Sequence, residues 1–165
     1  SLVQMGICMG VQPLLAYNVG ARNLPRLRGA LTRLAGLTFG FGAAFAAVCL
    51  LGQNTLLGLF LSDPEALALG RQLLPWLLAA SPLLGLYYLS TNFLQAAGRA
   101  AGATVLSALR QGLLLIPALY LLHALLGLPG LAAARAAADL ASIAVAMALF
   151  LHTWRDFARL AQLTR

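Results

Sequence analysis

The chain predicts an all-α fold, a polytopic transmembrane bundle of about five helices, on three observations. Of its 165 residues, 61% are hydrophobic and 9% charged, whereas soluble domains carry roughly a quarter charged residues. Mean hydropathy is +0.87, more apolar surface than a soluble fold can hide. The basic residues, all arginine, stand in short clusters between long apolar runs. A nucleic-acid-binding protein would gather them on one basic face among polar and aromatic neighbours, so the net charge of +7 reads as membrane topology and no nucleic-acid partner is expected.

A hydrocarbon core of about 30 Å needs roughly 20 apolar residues of helix. Residues 1–17 form the first apolar run, which looks clipped at its start. Ser1 opens inside a hydrophobic segment with no Met, charged leader or small-residue cleavage site, which reads as a truncated gene product and not as a signal peptide. Asn18, Gly20 and Pro25 break the chain after it. The second span is expected near 32–61. Ser62, Asp63, Pro64 and Glu65 then give an N-cap and first-turn signature, and the third span is expected near 70–97. The fourth is placed near 104–126. Leu128, Pro129 and Gly130 separate it from the fifth, near 132–154, whose alanine-rich start (Ala132, Ala133, Ala134, Ala136, Ala137 and Ala138) suits close helix approach in lipid.

Cytoplasmic loops retain arginine near the membrane while translocated loops lack it. Arg22, Arg26, Arg28, Arg33, Arg99, Arg110, Arg155, Arg159 and Arg165 fall on one side, and Arg71 and Arg135 on the other. This places the first and third loops and the C-terminus in the cytoplasm, in a multi-pass protein expected in a cell inner membrane. Trp76 and Trp154 suit the interfacial belt. His123 and His152 sit near helix ends and are weak proton-relay candidates.

Polar residues within spans face a protein interior or a water-filled cavity. Gln4 and Gln12 precede Pro13 on the first span, and the third carries Ser81, Pro82, Tyr87, Tyr88, Ser90, Thr91, Asn92 and Gln95. Pro82 removes a backbone donor in mid-helix, marking either a bend beside a substrate cavity or a packed kink. Tyr87, Thr91 and Gln95 recur every four residues and share a face, fit for lining a cavity for an apolar or cationic ligand or for interhelical hydrogen bonding. For Arg110 an interfacial, snorkelling position is favoured. Asp139 is a coupling-ion candidate, with an ion pair to Arg135 one turn earlier the favoured alternative. Cys8 and Cys49 lack ligand spacing, and no metal site or cofactor is expected. P-loop, HExxH and GxSxG signatures are absent, so the chain is not read as an enzyme; any transport then draws on an ion gradient.

The stretch Gly10-Val11-Gln12-Pro13, then Tyr17-Asn18 and Gly20-Ala21 beside a basic cluster, resembles the multidrug and toxic compound extrusion (MATE) transporters. So do Asn92-Phe93-Leu94-Gln95-Ala96-Ala97-Gly98, Ser107-Ala108-Leu109-Arg110-Gln111-Gly112, Ile116-Pro117, Gly127-Leu128, Gly130 and Ala138-Asp139. Their order and spacing, across nearly the whole chain, carry the resemblance. It implies a twelve-helix transporter of two six-helix lobes, with this chain as helices eight to twelve, a partial C-terminal lobe lacking the N-terminal lobe and inactive alone. It further implies export of amphipathic or cationic drugs by antiport against protons or sodium, with Gln12, Pro82, Tyr87, Thr91, Asn92 and Gln95 as substrate-cavity candidates. Family members carry the coupling ion on carboxylates within the membrane. The third span has no acid between Leu73 and Ala97, which argues against a sodium site in this lobe and leaves the first lobe or Asp139. The alternatives are a lipid-linked oligosaccharide flippase of the same superfamily, expected to show cavity-facing cations for a pyrophosphate, and a non-functional gene remnant.

Overall fold

The computed structural model describes residues 2–163, so Ser1, Thr164 and Arg165 lie outside the described part. The first helix, α1, is Leu2–Gly20, and α2 is Leu24–Leu51, followed by a short α3, Gln53–Phe60. Next come α4, Pro64–Ala79, and α5, Ser81–Ala96. Then α6, Ala100–Ala108, runs through a π turn, Leu109–Leu113, into α7, Leu115–Leu126, and α8 is Leu128–Leu163. These form 5 segments long and apolar enough to cross a membrane: Leu2–Gly20, Leu24–Leu51, Pro64–Ala96, Ala100–Leu126 and Leu128–Leu163.

The helix ends differ from the sequence expectation for local reasons. Asn23 caps α2, its side chain accepting a hydrogen bond from the Arg26 amide at 3.2 Å, and Pro25 sits in the first turn. Pro25 therefore opens a helix where the sequence suggested a break, and Arg26, Arg28 and Arg33 ride on α2 from its first turns. Gly52 interrupts the segment expected as one span over 32–61 and separates α2 from α3. Asp63 caps α4 by accepting from the Glu65 amide at 3.2 Å, so that helix starts at Pro64 and not near 70. The third segment is interrupted at Ala80, just before Pro82 in the first turn of α5, where its missing N–H does least harm.

Gly98, at φ +78°, ends α5. The Arg99 amide reaches back to the Leu94 carbonyl at 2.8 Å, a left-handed C-terminal closure that glycine allows. Gly127, at φ +70°, turns α7 directly into α8, and a side chain on Gly130 would run into the Leu122 carbonyl. At 36 residues α8 is roughly 54 Å long, so it outruns the hydrocarbon core and carries Arg155 and Arg159 beyond Trp154.

α5 is the central helix, packed on α1, α2 and α8, while α4 and α7 lie against α8. One apolar cluster joins Cys8 and Leu15 to Leu27, Leu31, Leu89 and Phe93; a second joins Leu84, Tyr87, Leu106, Ile143 and Ala146. Ala132, Ala133, Ala134, Ala136 and Ala138 are buried, so small side chains do set the packing distance at the start of α8. Outside, Leu51, Phe60, Tyr120, Leu121 and Leu125 are exposed, an apolar surface of the kind a bilayer covers.

Candidate functional site

Ten residues into the fourth segment the helix widens into the π turn, with the Leu114 amide bonding the Leu109 carbonyl at 2.9 Å. Such turns often mark functional sites, and Pro117, which lacks a donor, follows closely. The turn carries Arg110, whose side chain is buried. Arg110 Nε donates to Asp139 Oδ1 at 2.9 Å, and Nη1 donates to the Tyr88 hydroxyl at 3.2 Å. Its guanidinium carbon lies 5.2 Å from the Tyr87 ring centroid and 5.5 Å from that of Tyr88, within cation–π range. The two rings meet edge to face, 5.5 Å apart.

Asp139 is buried on α8, and its second oxygen accepts from Arg135 Nε at 3.4 Å. The carboxylate thus stands between two guanidiniums. Burial makes the Arg110 pair consequential, because an ion removed from water must be matched by geometry and hydrogen bonds. The position of Arg110 corrects the snorkelling expectation: the side chain turns inward to α5 and α8. The Arg135–Asp139 pair is present as favoured, as the longer of two contacts.

A second polar contact joins α1 to α5, where Gln12 Nε2 donates to Gln95 Oε1 at 2.9 Å. Gln95 is exposed, so this pair faces the open side of the bundle. Thr91 and Asn92 instead hydrogen-bond within their own helix, Thr91 Oγ1 to the Tyr87 carbonyl at 2.9 Å and Asn92 Nδ2 to the Tyr88 carbonyl at 2.8 Å. Both are buried.

The seven sequence candidates therefore divide. Tyr87 and Asp139 are joined through Arg110; Gln12 and Gln95 are joined to each other; Pro82, Thr91 and Asn92 stand apart in the packing of α5. Tyr87 and Gln95 share a helix but not an environment. Sequence reasoning missed Arg110 as the hub and Tyr88 as its partner. The available signal was a mid-span arginine and a mid-span aspartate on neighbouring segments.

The MatE family profile matches residues 1–121. The chain belongs to this family of membrane transporters. Over 131 residues it is 36% identical to the multidrug export protein MepA of Staphylococcus aureus, an alignment spanning 78% of this chain and 28% of that protein. The MepA of Staphylococcus haemolyticus is 33% identical over 129 residues, again covering 78% of this chain and 28% of that protein. The fold matches the Vibrio cholerae MATE transporter VcmN in its bent form with a TM-score of 0.82, at 21% identity, covering 91% of this chain and 34% of that one. The MatE chain thus spans about a third or less of the length of these relatives.

Proposed function

We propose that the chain is part of the C-terminal lobe of a two-lobe antiporter that exports amphipathic or cationic compounds in exchange for protons or sodium. The similarity to MepA carries this reading, supported by the family match over residues 1–121. The working transporter needs the N-terminal lobe as its partner, sits in the inner membrane and keeps the arginine-rich ends and the C-terminus in the cytoplasm.

The exposed Gln12–Gln95 pair contributes neutral hydrogen-bonding groups to the substrate path, suited to cations that a buried charge would repel or trap. The doubly matched Asp139 acts as a structural pin, and the coupling carboxylate belongs to the other lobe. Arg110, turned onto Asp139 and two tyrosines, gives no support to a pyrophosphate-binding flippase cavity.

The test is ethidium efflux from efflux-deficient cells expressing the full reading frame that contains this chain, with and without a protonophore and with and without sodium. Gradient-dependent efflux is expected; an expressed, membrane-inserted protein that moves no tested cation overturns the proposal. Gln95→Ala should lower efflux about fivefold, on the order of one lost hydrogen bond, at unchanged protein level. Wild-type efflux from Gln95→Ala removes the pair from the substrate path.

A further inference from the structure

α2 and α8 both pack on α5, and between them they leave a groove. Its mouth is a cavity of about 660 Å³ lined by Arg28, Thr32, Arg33 and Trp154. Arg28, Thr32 and Trp154 also line the next cavity, of about 340 Å³, with Leu31 and Phe150. Leu31, Thr32 and Phe150 in turn line a third, of about 240 Å³, floored by Leu86, Leu89 and Ser90 of α5. The shared walls make one continuous trough, cationic at one end and apolar at the other. It descends about 10 Å along α2, at 1.5 Å per residue from Arg28 to Ala35.

Arg28 and Arg33 are exposed, and among the described residues neither forms an ion pair with a carboxylate. Trp154 at the mouth suits the headgroup level of a bilayer. A cationic transport substrate would be repelled by the two guanidiniums, and a soluble anion would leave the apolar trough empty. An amphiphile with an anionic head and a hydrocarbon tail meets both ends.

We propose that the α2–α8 groove is a binding site for an anionic phospholipid, with the headgroup phosphate on Arg28 and Arg33 and one acyl chain laid past Phe150 onto α5. Binding needs only the membrane setting of the family. Placement in the cytoplasmic leaflet, where anionic lipids concentrate, rests on the orientation proposed above.

The experiment is native mass spectrometry of the full-length protein in mild detergent, delipidated and then titrated with phosphatidylglycerol or phosphatidylcholine. Wild type is expected to retain one phosphatidylglycerol in preference to phosphatidylcholine. Arg28→Ala/Arg33→Ala should weaken phosphatidylglycerol binding about thirtyfold, from two surface arginines, while Arg22→Ala, outside the groove, binds as wild type. Thr32→Trp, at an exposed position, should block the trough and lose the lipid with both arginines in place, which guards against misfolding of the double variant. Equal binding of the two lipids, wild-type binding by either groove variant, or full displacement by glycerol phosphate alone would overturn the site. The readout is lipid mass, so failure of ethidium efflux leaves it unaffected.

Discussion

Asp139→Asn is expected to lower the stability of the protein by about 3–5 kcal/mol, the usual consequence of stranding one member of a buried ion pair. Arg110 is the stranded group, buried and bonded to Asp139 Oδ1 at 2.9 Å. Asparagine keeps the shape but offers no compensating charge, and at this depth water cannot substitute easily. A loss of that size takes a large part of the 5–15 kcal/mol that holds a typical domain, so folded yield should drop sharply and thermal unfolding should come earlier. Fluorescence-detected size-exclusion melting of the membrane-extracted protein reads both. Arg110→Met/Asp139→Leu removes both charges and should recover much of the loss, because apolar replacement of a complete buried pair is often neutral or better. Arg135→Ala should cost less than about 1 kcal/mol, since that arginine is partly exposed and its contact is 3.4 Å. An Asp139→Asn protein that melts with wild type would show that the pair does not pin α8 to the π turn.

The same cluster shows what could and could not be read from the sequence. The spanning segments were legible because long apolar runs between arginine clusters suffice to mark them, whichever face each helix turns inward. Their ends were less so. Arg26 and Arg28 fell before the start expected near 32, yet Asn23 and Pro25 together start a helix beneath them. Capping is a local hydrogen-bond geometry, and the same asparagine and proline also occur in turns. Arg110 was misread because its environment is made by residues distant in sequence: Tyr88 lies 22 positions before it and Asp139 lies 29 after. The extra residue in the π turn also shifts the helical phase, so a four-residue count does not find its face. Gln12 and Gln95 are 83 positions apart, and each was visible as polar in an apolar run while their pairing was not.

The crossing of α2 over α5 leads to the second large effect. A Cβ on Gly85 would fall 2.5 Å from Thr38 Cβ, 2.6 Å from its Oγ1 and 3.1 Å from its carbonyl carbon, and one on Gly42 would fall 2.5 Å from Gln4 Nε2, 2.7 Å from the Ser81 carbonyl oxygen and 2.9 Å from Pro82 Cα. The two helices are therefore nearly in backbone contact, as small residues allow in lipid. Gln4 fastens α1 into the same junction, its Nε2 donating to the Thr38 carbonyl at 2.9 Å and the Ser81 carbonyl at 3.2 Å. Gly85→Ala and Gly42→Ala should each destabilise by about 1–3 kcal/mol through overpacking, but they should respond differently to relief. Thr38→Gly removes the two side-chain atoms that crowd Gly85 and should restore part of the loss in Gly85→Ala, even after the helix-propensity cost of about 0.5–1 kcal/mol for a second glycine. Gln4→Ala should not rescue Gly42→Ala, because the obstacles left behind are backbone atoms that no side-chain deletion moves. Melting temperatures of the two single and two double variants decide it. Equal rescue in both pairs would mean that α2 and α5 can separate, whereas rescue in neither would mean that the Thr38 backbone, 3.1 Å from a Cβ on Gly85, is the obstacle there and not its side chain.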